Sequence, residues 1–191
     1  MNGLEKVVYH DIDALAVGDV GDLYDTELGD APLAARDAVT RTVVSGFRTA
    51  WAYAKKMSGD PERANDYLHR VAKHLTYDFR SFNAGIMVLN LEKMRRDDFG
   101  HQYLPWVAAY GINDQQLLNC YAGNTRVELD PRWNSLPTQE PVADPLLIHW
   151  AGHRKPWKAG YVAWKGEWHE AEARLETRKS STSAGLETIA A

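Results

Sequence analysis

The chain has 191 residues, 45% hydrophobic and 25% charged, enough for one domain with a sizeable core and the usual profile of a soluble globular protein. A net charge of −4 argues against a nucleic-acid backbone as the main partner. The single cysteine, Cys120, excludes an intrachain disulfide framework and fits a reducing, cytoplasmic setting, and no apolar run approaches the roughly 20 residues that would cross a bilayer.

Met1–Lys6 lacks the charged-then-apolar order of a secretory leader, so none is expected there. Val7-Val8-Tyr9 reads as a buried strand that runs into Asp11 and Asp13. Ala14–Val17 either continues it or starts a new short strand. Gly18-Asp19 and Gly21-Asp22 are turn signals, and Pro32-Leu33-Ala34-Ala35 is a second short inner strand. Residues 37–80 read as helical, with Asp60 as N-cap, Pro61 at the first helical position and Ala64, Leu68, Val71, Ala72 and Leu75 on one face. Phe82-Asn83-Ala84-Gly85 breaks that pattern, and Ile86–Leu89 predicts a buried strand. From Leu91 a helix carrying Phe99, Tyr103, Val107 and Tyr110 on one face is expected to end at Gly111.

Asn113 predicts a cap for a short helix from Asp114 to Tyr121. Val127-Glu128-Leu129 is a weak strand before Pro131, and Leu146-Leu147-Ile148 a stronger one ending at His149. Gly152–Gly160 is a loop of basic residues and tryptophan. Alternating strands and helices favour an α/β domain over 1–175 with a mixed or mostly parallel sheet. The small polar composition of 176–191 points to a disordered tail, and no internal repeat is present.

Two carboxylates one residue apart at a strand end repel each other unless a cation lies between them. A divalent metal carrying a phosphorylated ligand suits Asp11 and Asp13; solvated strand-end acids are the plainer alternative. His149 is either a structural histidine or the third ligand. The residues after it bear on that choice: Gly152 lets backbone N–H groups approach an anion, and Lys155 supplies a compact charge for phosphate oxygens. An imidazole among carboxylates favours Mn2+ over Mg2+. Asn83-Ala84-Gly85 is an amide beside two small residues, either an ordinary turn or room for a ligand. Asp114-Gln115 at a helix N-terminus is either capping chemistry or a ligand contact.

Taken together, the pieces resemble glycosyltransferase family 8, the group of glycogenin and the bacterial galactosyltransferases. The likeness runs in order from Val7 to Trp157. It rests on Tyr9-His10-Asp11-Ile12-Asp13, Phe82-Asn83-Ala84-Gly85 with Leu89-Asn90-Leu91, and Asn113-Asp114-Gln115 with Leu117-Leu118-Asn119. Leu129-Asp130-Pro131-Arg132-Trp133-Asn134 and Ile148-His149 through Gly152 to Lys155-Pro156-Trp157 complete it.

The resemblance implies a GT-A-type, Rossmann-like mixed sheet flanked by helices, and a hexosyltransferase that retains anomeric configuration. Asp11, Asp13 and His149 would hold Mn2+ or Mg2+, and Asp11, Ile12 and Asp13 would meet the nucleotide of a UDP-sugar donor. Gly152 and Lys155 would hold the diphosphate, and Asn83, Ala84, Asp114 and Gln115 the donor sugar. Gln115 would be the catalytic residue near the anomeric carbon. As a poor nucleophile it favours front-face attack by the acceptor hydroxyl, with the leaving phosphate taking the proton. The acceptor would be a glycan or a lipid-linked saccharide, met in the cytoplasm or at the inner membrane surface.

Against that family the Asp-x-Asp segment comes early, so the domain is expected to be truncated on its N-terminal side by two or three βα units of ~30 residues. An exposed sheet edge that favours oligomers, and weak nucleotide binding by this polypeptide alone, would follow. His10 stands where the family is usually apolar, and Gln116 where it often has a second acid. Trp157–Trp168 with Lys155, Lys158 and Lys165 is either a peripheral membrane or acceptor surface, or aromatic packing of a C-terminal helix, the favoured reading. An inactive transferase remnant or sugar-binding module is the main alternative. A haloacid-dehalogenase-like phosphatase, with Asp11 as nucleophile, Asp13 as acid/base and Asp97-Asp98 as the late acids, explains fewer of the pieces.

Overall fold

The computed structural model describes residues 3–38, 46–74 and 80–189. The first half of the chain forms β1 (Lys6–His10), β2 (Ala14–Ala16), α1 (Val20–Tyr24), β3 (Leu33–Asp37), α2 (Gly46–Lys56) and α3 (Pro61–His74). Next come β4 (Phe82–Asn90), α4 (Leu91–Arg96), α5 (Phe99–Gln102), α6 (Leu104–Tyr110) and α7 (Asp114–Ala122). The last elements are β5 (Val127–Glu128), a 3-10 turn at Pro131–Asn134, β6 (Leu147–His149) and α8 (Lys165–Ile189).

The main sheet has the order β1-β4-β3-β5. β4 runs antiparallel to both neighbours, and β3 pairs in parallel with β5, so the sheet is mixed. As an inner strand β4 is covered on both faces, which is why Ile86–Leu89 is a continuous apolar run. Ile86 and Val88 pack with Ala34, Leu23, Leu129, Trp133 and Leu147 on one face. Met87, Phe82 and Ala84 pack with Leu33, Ala35, Leu118 and Ala122 on the other. A third cluster joins α2, α3, α6 and α7 around Tyr53, Tyr67, Trp106 and Tyr110.

Along β4 the partners on β3 step from Ala35↔Met87 to Asp37↔Phe82. Arg36 alone therefore stands opposite the stretch from Asn83 to Ile86, a bulge. Bulges reshape the local backbone, and beside this one the Gly85 carbonyl accepts from Asp11 N–H, just past the end of β1. The stretch Phe82–Gly85, expected as a break ahead of a strand, is instead the first half of β4.

β2 and β6 form a separate antiparallel pair, with Ala14 opposite His149. The chain thus makes a new strand after Asp13 rather than prolonging β1. Behind this pair Trp150, fully buried, packs with Ile148, Val162, Leu15, Trp164 and Trp168. Those contacts dock α8 on the domain, in line with the packing reading of the tryptophans.

Several local expectations differ from the structure. The helix expected from Leu91 to Tyr110 is three short ones: Asp98 takes a left-handed φ of 52° and Pro105 opens α6. Tyr110 is buried but Val107 is exposed. On α3 the most buried residue is Tyr67, whereas Ala72 faces solvent; Leu75 lies outside the described residues. Segment 176–189 belongs to α8, where composition pointed to a disordered tail. Its Ala, Leu, Glu, Arg and Lys are good helix formers that extend the docked first turns. Among the described residues no helix is long and apolar enough to cross a membrane.

Candidate functional site

Asp11 follows β1 directly, and its N–H donates to the Gly85 carbonyl at 2.8 Å, continuing the β1–β4 ladder. One turn residue later Asp13 precedes β2, and its carbonyl accepts from Trp150 N–H at 3.1 Å. The β2–β6 register sets His149 beside Asp13. One ligand atom from each of Asp11, Asp13 and His149 lies within 4.8 Å of the other two. His149 Nε2 is 3.4 Å from a carboxylate oxygen of Asp11 and 3.4 Å from one of Asp13.

His149 is 2% exposed, and its Nδ1 lies 3.1 Å from Asn134 Oδ1. Burial lowers its pKa below the ordinary imidazole value, against the pull of Asp13 and Asp11 in the other direction. The neutral ring that a metal needs is therefore favoured. Tyr9 donates to Asp11 at 2.8 Å, and that bond is the main reason its phenol is pushed up to about 12.

A polar cleft of about 260 Å3 is lined by Asp11, Asp13, Asn83, Ala84, Gly85, Asn113, Asp114, Gln115, His149, Ala151 and Gly152. α7 brings Asp114 and Gln115 to its far wall. A capping box fixes that helix start: the Asn113 side chain accepts from Gln116 N–H, and the Gln116 side chain from Asn113 N–H. Asn113 and Gln116 thus do the capping, which leaves Asp114 and Gln115 facing the cleft. Gln115 Oε1 accepts from Ala84 N–H at 3.1 Å, so the carbonyl end of its amide is engaged and its NH2 group is the end left to a ligand. Asn83 Oδ1 is engaged likewise, by Gly85 N–H at 3.0 Å and Asn134 Nδ2 at 2.9 Å.

The other sequence candidates stand as follows. Gly152 lines the cleft with a φ of 89°, a conformation that favours glycine. Lys155 does not line it; its ammonium bonds the Asp13 carboxylate and, at 2.7 Å, the Trp150 carbonyl. Ile12 is 98% exposed between the two acids. His10 is exposed, and its Nδ1 lies 3.0 Å from the Asp11 carbonyl oxygen. Asp97 is held by Lys93 and Tyr121, and Asp98 by His101, so neither acid of the phosphatase alternative reaches the cleft.

Sequence reasoning missed Asn134, Arg36 and Asn119. Buried Arg36 donates to the Asn134 carbonyl at 2.6 Å and pairs with Glu140 at 2.9 Å. Asn119 bonds both backbone groups of Phe82 and the Gln115 carbonyl, tying α7 to β4. Asn134 and Asn119 lay inside quoted motifs; nothing in the sequence marked Arg36.

The donor set fits a divalent cation. One imidazole nitrogen and two carboxylates converge, and the imidazole can sit there because residue 85 has no side chain: a Cβ there would lie 2.0 Å from His149 Cε1.

A family model described as "Glycosyl transferase family 8" matches residues 1–160. General stress protein A of Bacillus subtilis (strain 168) is 22% identical over 179 residues, covering 82% of this chain and 54% of that protein. Human glycosyltransferase 8 domain-containing protein 1 is 25% identical over 179 residues, covering 80% and 46%. The chain thus spans about half the length of these curated relatives. Among solved structures, the galactosyltransferase LgtC with donor and acceptor sugar analogues superposes with a TM-score of 0.63 at 24% identity, over 89% of this chain and 61% of that one. Glycosyltransferase GlyE of Streptococcus pneumoniae TIGR4 gives 0.61 at 19%, over 87% and 39%. These likenesses establish the fold as the GT-A type.

Proposed function

The chain belongs to glycosyl transferase family 8, and from that premise we propose that it serves a retaining hexosyltransferase, moving a sugar from a UDP-sugar donor to a glycan or lipid-linked acceptor. The observation that carries this reading is the convergence of His149 Nε2 on Asp11 and Asp13 at 3.4 Å, across one cleft from Asp114 and Gln115. A cation-ready corner and a sugar-sized polar wall are what a nucleotide sugar needs.

Asp11, Asp13 and His149 would hold Mn2+, or Mg2+ less well. The ion would supply Lewis-acid charge to the departing diphosphate, worth several kcal/mol in such reactions. Lys155 would exchange its bond to Asp13 for one to a phosphate oxygen, and the Gly152 backbone would approach the same group. Asp114 would accept hydrogen bonds from donor hydroxyls. Asn83 and Gln115 would donate through the NH2 ends that their own bonds leave to a ligand. Ala84 would border the sugar, and Gly85 leaves room for the His149 ring.

Gln115 would hold the anomeric carbon in place; an amide oxygen is a poor nucleophile, and this one already accepts from Ala84 N–H. The acceptor hydroxyl therefore attacks from the side the diphosphate leaves, and a leaving phosphate oxygen takes its proton. Exposed Trp157 and Tyr161 beside Lys158 would suit a lipid-linked acceptor at the cytoplasmic face of a membrane.

The test is Mn2+-dependent hydrolysis of UDP-glucose and UDP-galactose by purified protein, with Asp13→Ala as control. Hydrolysis lost in the control is the expected result. Mn2+ and sugar binding without turnover would instead assign a sugar-binding module, and neither would assign a remnant.

A further inference from the structure

We propose that Asn134 is a positioning residue that keeps the ring proton of neutral His149 on Nδ1, so that Nε2 presents a bare lone pair to the cation. The proposal rests on the reading that Asp11, Asp13 and His149 hold a metal.

The argument starts from a group whose role cannot be reversed. Gly85 N–H is a backbone donor, and it lies 3.0 Å from Asn83 Oδ1. That atom must be the carbonyl oxygen of the amide. Asn83 Oδ1 also contacts the Asn134 amide at 2.9 Å, so Asn134 must present its NH2 group there. Its oxygen is then the atom 3.1 Å from His149 Nδ1, and an oxygen acceptor requires a proton on that nitrogen. Each assignment follows from the one before it, and together they leave Nε2 unprotonated.

The chain of bonds works against local electrostatics. Left to two carboxylates 3.4 Å away, a neutral imidazole would carry its proton on Nε2 and donate to them. To do so here, Asn134 would have to flip and set its oxygen against Asn83 Oδ1, lone pair to lone pair. The alternative is to strand the Gly85 N–H. Asn134 is fully buried and its carbonyl is pinned by Arg36, so it has no room to relax. A parallel bridge from Ser135 to Ile148 keeps it in step with His149. The atoms that Asp11, Asp13 and His149 turn toward one another are therefore all acceptors, an arrangement satisfied by a cation, while the Lys155 ammonium holds the other Asp13 oxygen. Groups that orient a ligating imidazole commonly carry 10–100-fold in metal affinity.

The experiment is 15N NMR of the His149 ring in metal-free protein at pH 8, with Mn2+ affinity measured by calorimetry. The wild type should show a protonated Nδ1 and a pyridine-type Nε2. Asn134→Ala should move the proton to Nε2 and weaken Mn2+ roughly 10-fold or more. Asn83→Ala cuts the relay without touching His149, and should shift the same proton if Asn134→Ala does not fold. A wild-type ring protonated on Nε2 that still binds Mn2+ overturns the relay and leaves the metal reading standing. A ring protonated on Nδ1 that binds no Mn2+ overturns the metal reading and the purpose assigned here to Asn134.

Discussion

Gly85 and His149 occupy each other's space: a Cβ on residue 85 would lie 2.0 Å from Cε1, 2.6 Å from Nδ1 and 2.9 Å from Nε2 of the imidazole. The ring lies against the bare backbone of the β4 bulge and is held there. Gly85→Ala should push the ring off the two carboxylates. We expect Mn2+ binding to be lost in calorimetry and the folded state to lose about 1–3 kcal/mol in urea unfolding, the usual cost of overpacking. Unchanged Mn2+ affinity would show that the ring does not need this seat.

Lys155 gives a prediction with two signs. Its ammonium rests on Asp13, so it competes with a cation for that carboxylate. The same charge would attract a diphosphate. Lys155→Met should raise Mn2+ affinity roughly 10-fold without nucleotide and lower UDP affinity by a similar factor, the scale of one charge-assisted bond. Parallel titrations with Mn2+ alone and with UDP plus Mn2+ separate the effects, and a fall in both would contradict the competition.

Gln115→Ala separates positioning from metal binding. The change removes the acceptor for Ala84 N–H and the amide that faces the sugar, but no ligand atom. Mn2+ affinity should hold while UDP-sugar hydrolysis falls about 100-fold, as expected when a reacting centre is held loosely. An equal fall in both would place Gln115 among the supports of the metal corner.

At alkaline pH the clearest single contribution comes from Cys120. Burial pushes its thiol from 9.0 up to about 11. Between those values the unfolded chain has released a proton that the folded one keeps, so stability falls as pH rises through the window. The loss from this residue is about 2–3 kcal/mol by pH 11. Urea unfolding at pH 8, 9, 10 and 11 should show wild type falling more steeply than Cys120→Ala. Parallel slopes would mean the thiol titrates normally. Native Cys120 should also resist aromatic disulfide reagents at pH 8.

Arg36 is buried, whereas its partner Glu140 is half exposed. Glu140→Ala would leave a buried guanidinium with, among the described residues, the Asn134 carbonyl as its acceptor. The expected cost is about 1–3 kcal/mol, below that of a fully buried pair because water can reach the vacated side. A urea midpoint equal to wild type would show that solvent replaces Glu140 completely.

Much of this molecule was legible along the chain because the signals are local. Apolar runs ending in polar residues marked the strands that deliver Asp11, Asp13 and His149, and Asn113 announced the start of α7. The order of those pieces was enough to indicate the family. Tertiary structure alone decided how they meet. The bulge in β4 depends on register with β3, which no run of residues encodes, and it made a strand of the Asn83–Gly85 segment that read as a break. Helix periodicity joined Leu91 to Tyr110, but the left-handed Asp98 and Pro105 divide it. Gly85 read as a small residue leaving room for a ligand, and the room proved to be filled by an imidazole from a strand far along the chain. Arg36 and Asn134 could not be ranked from sequence, since a side chain gains its importance from partners that only folding brings near. Sequence thus determined the chemical groups and the strand ends that carry them; packing decided which atom of each group faces the cleft, because hydrogen-bond direction is settled by neighbours in space.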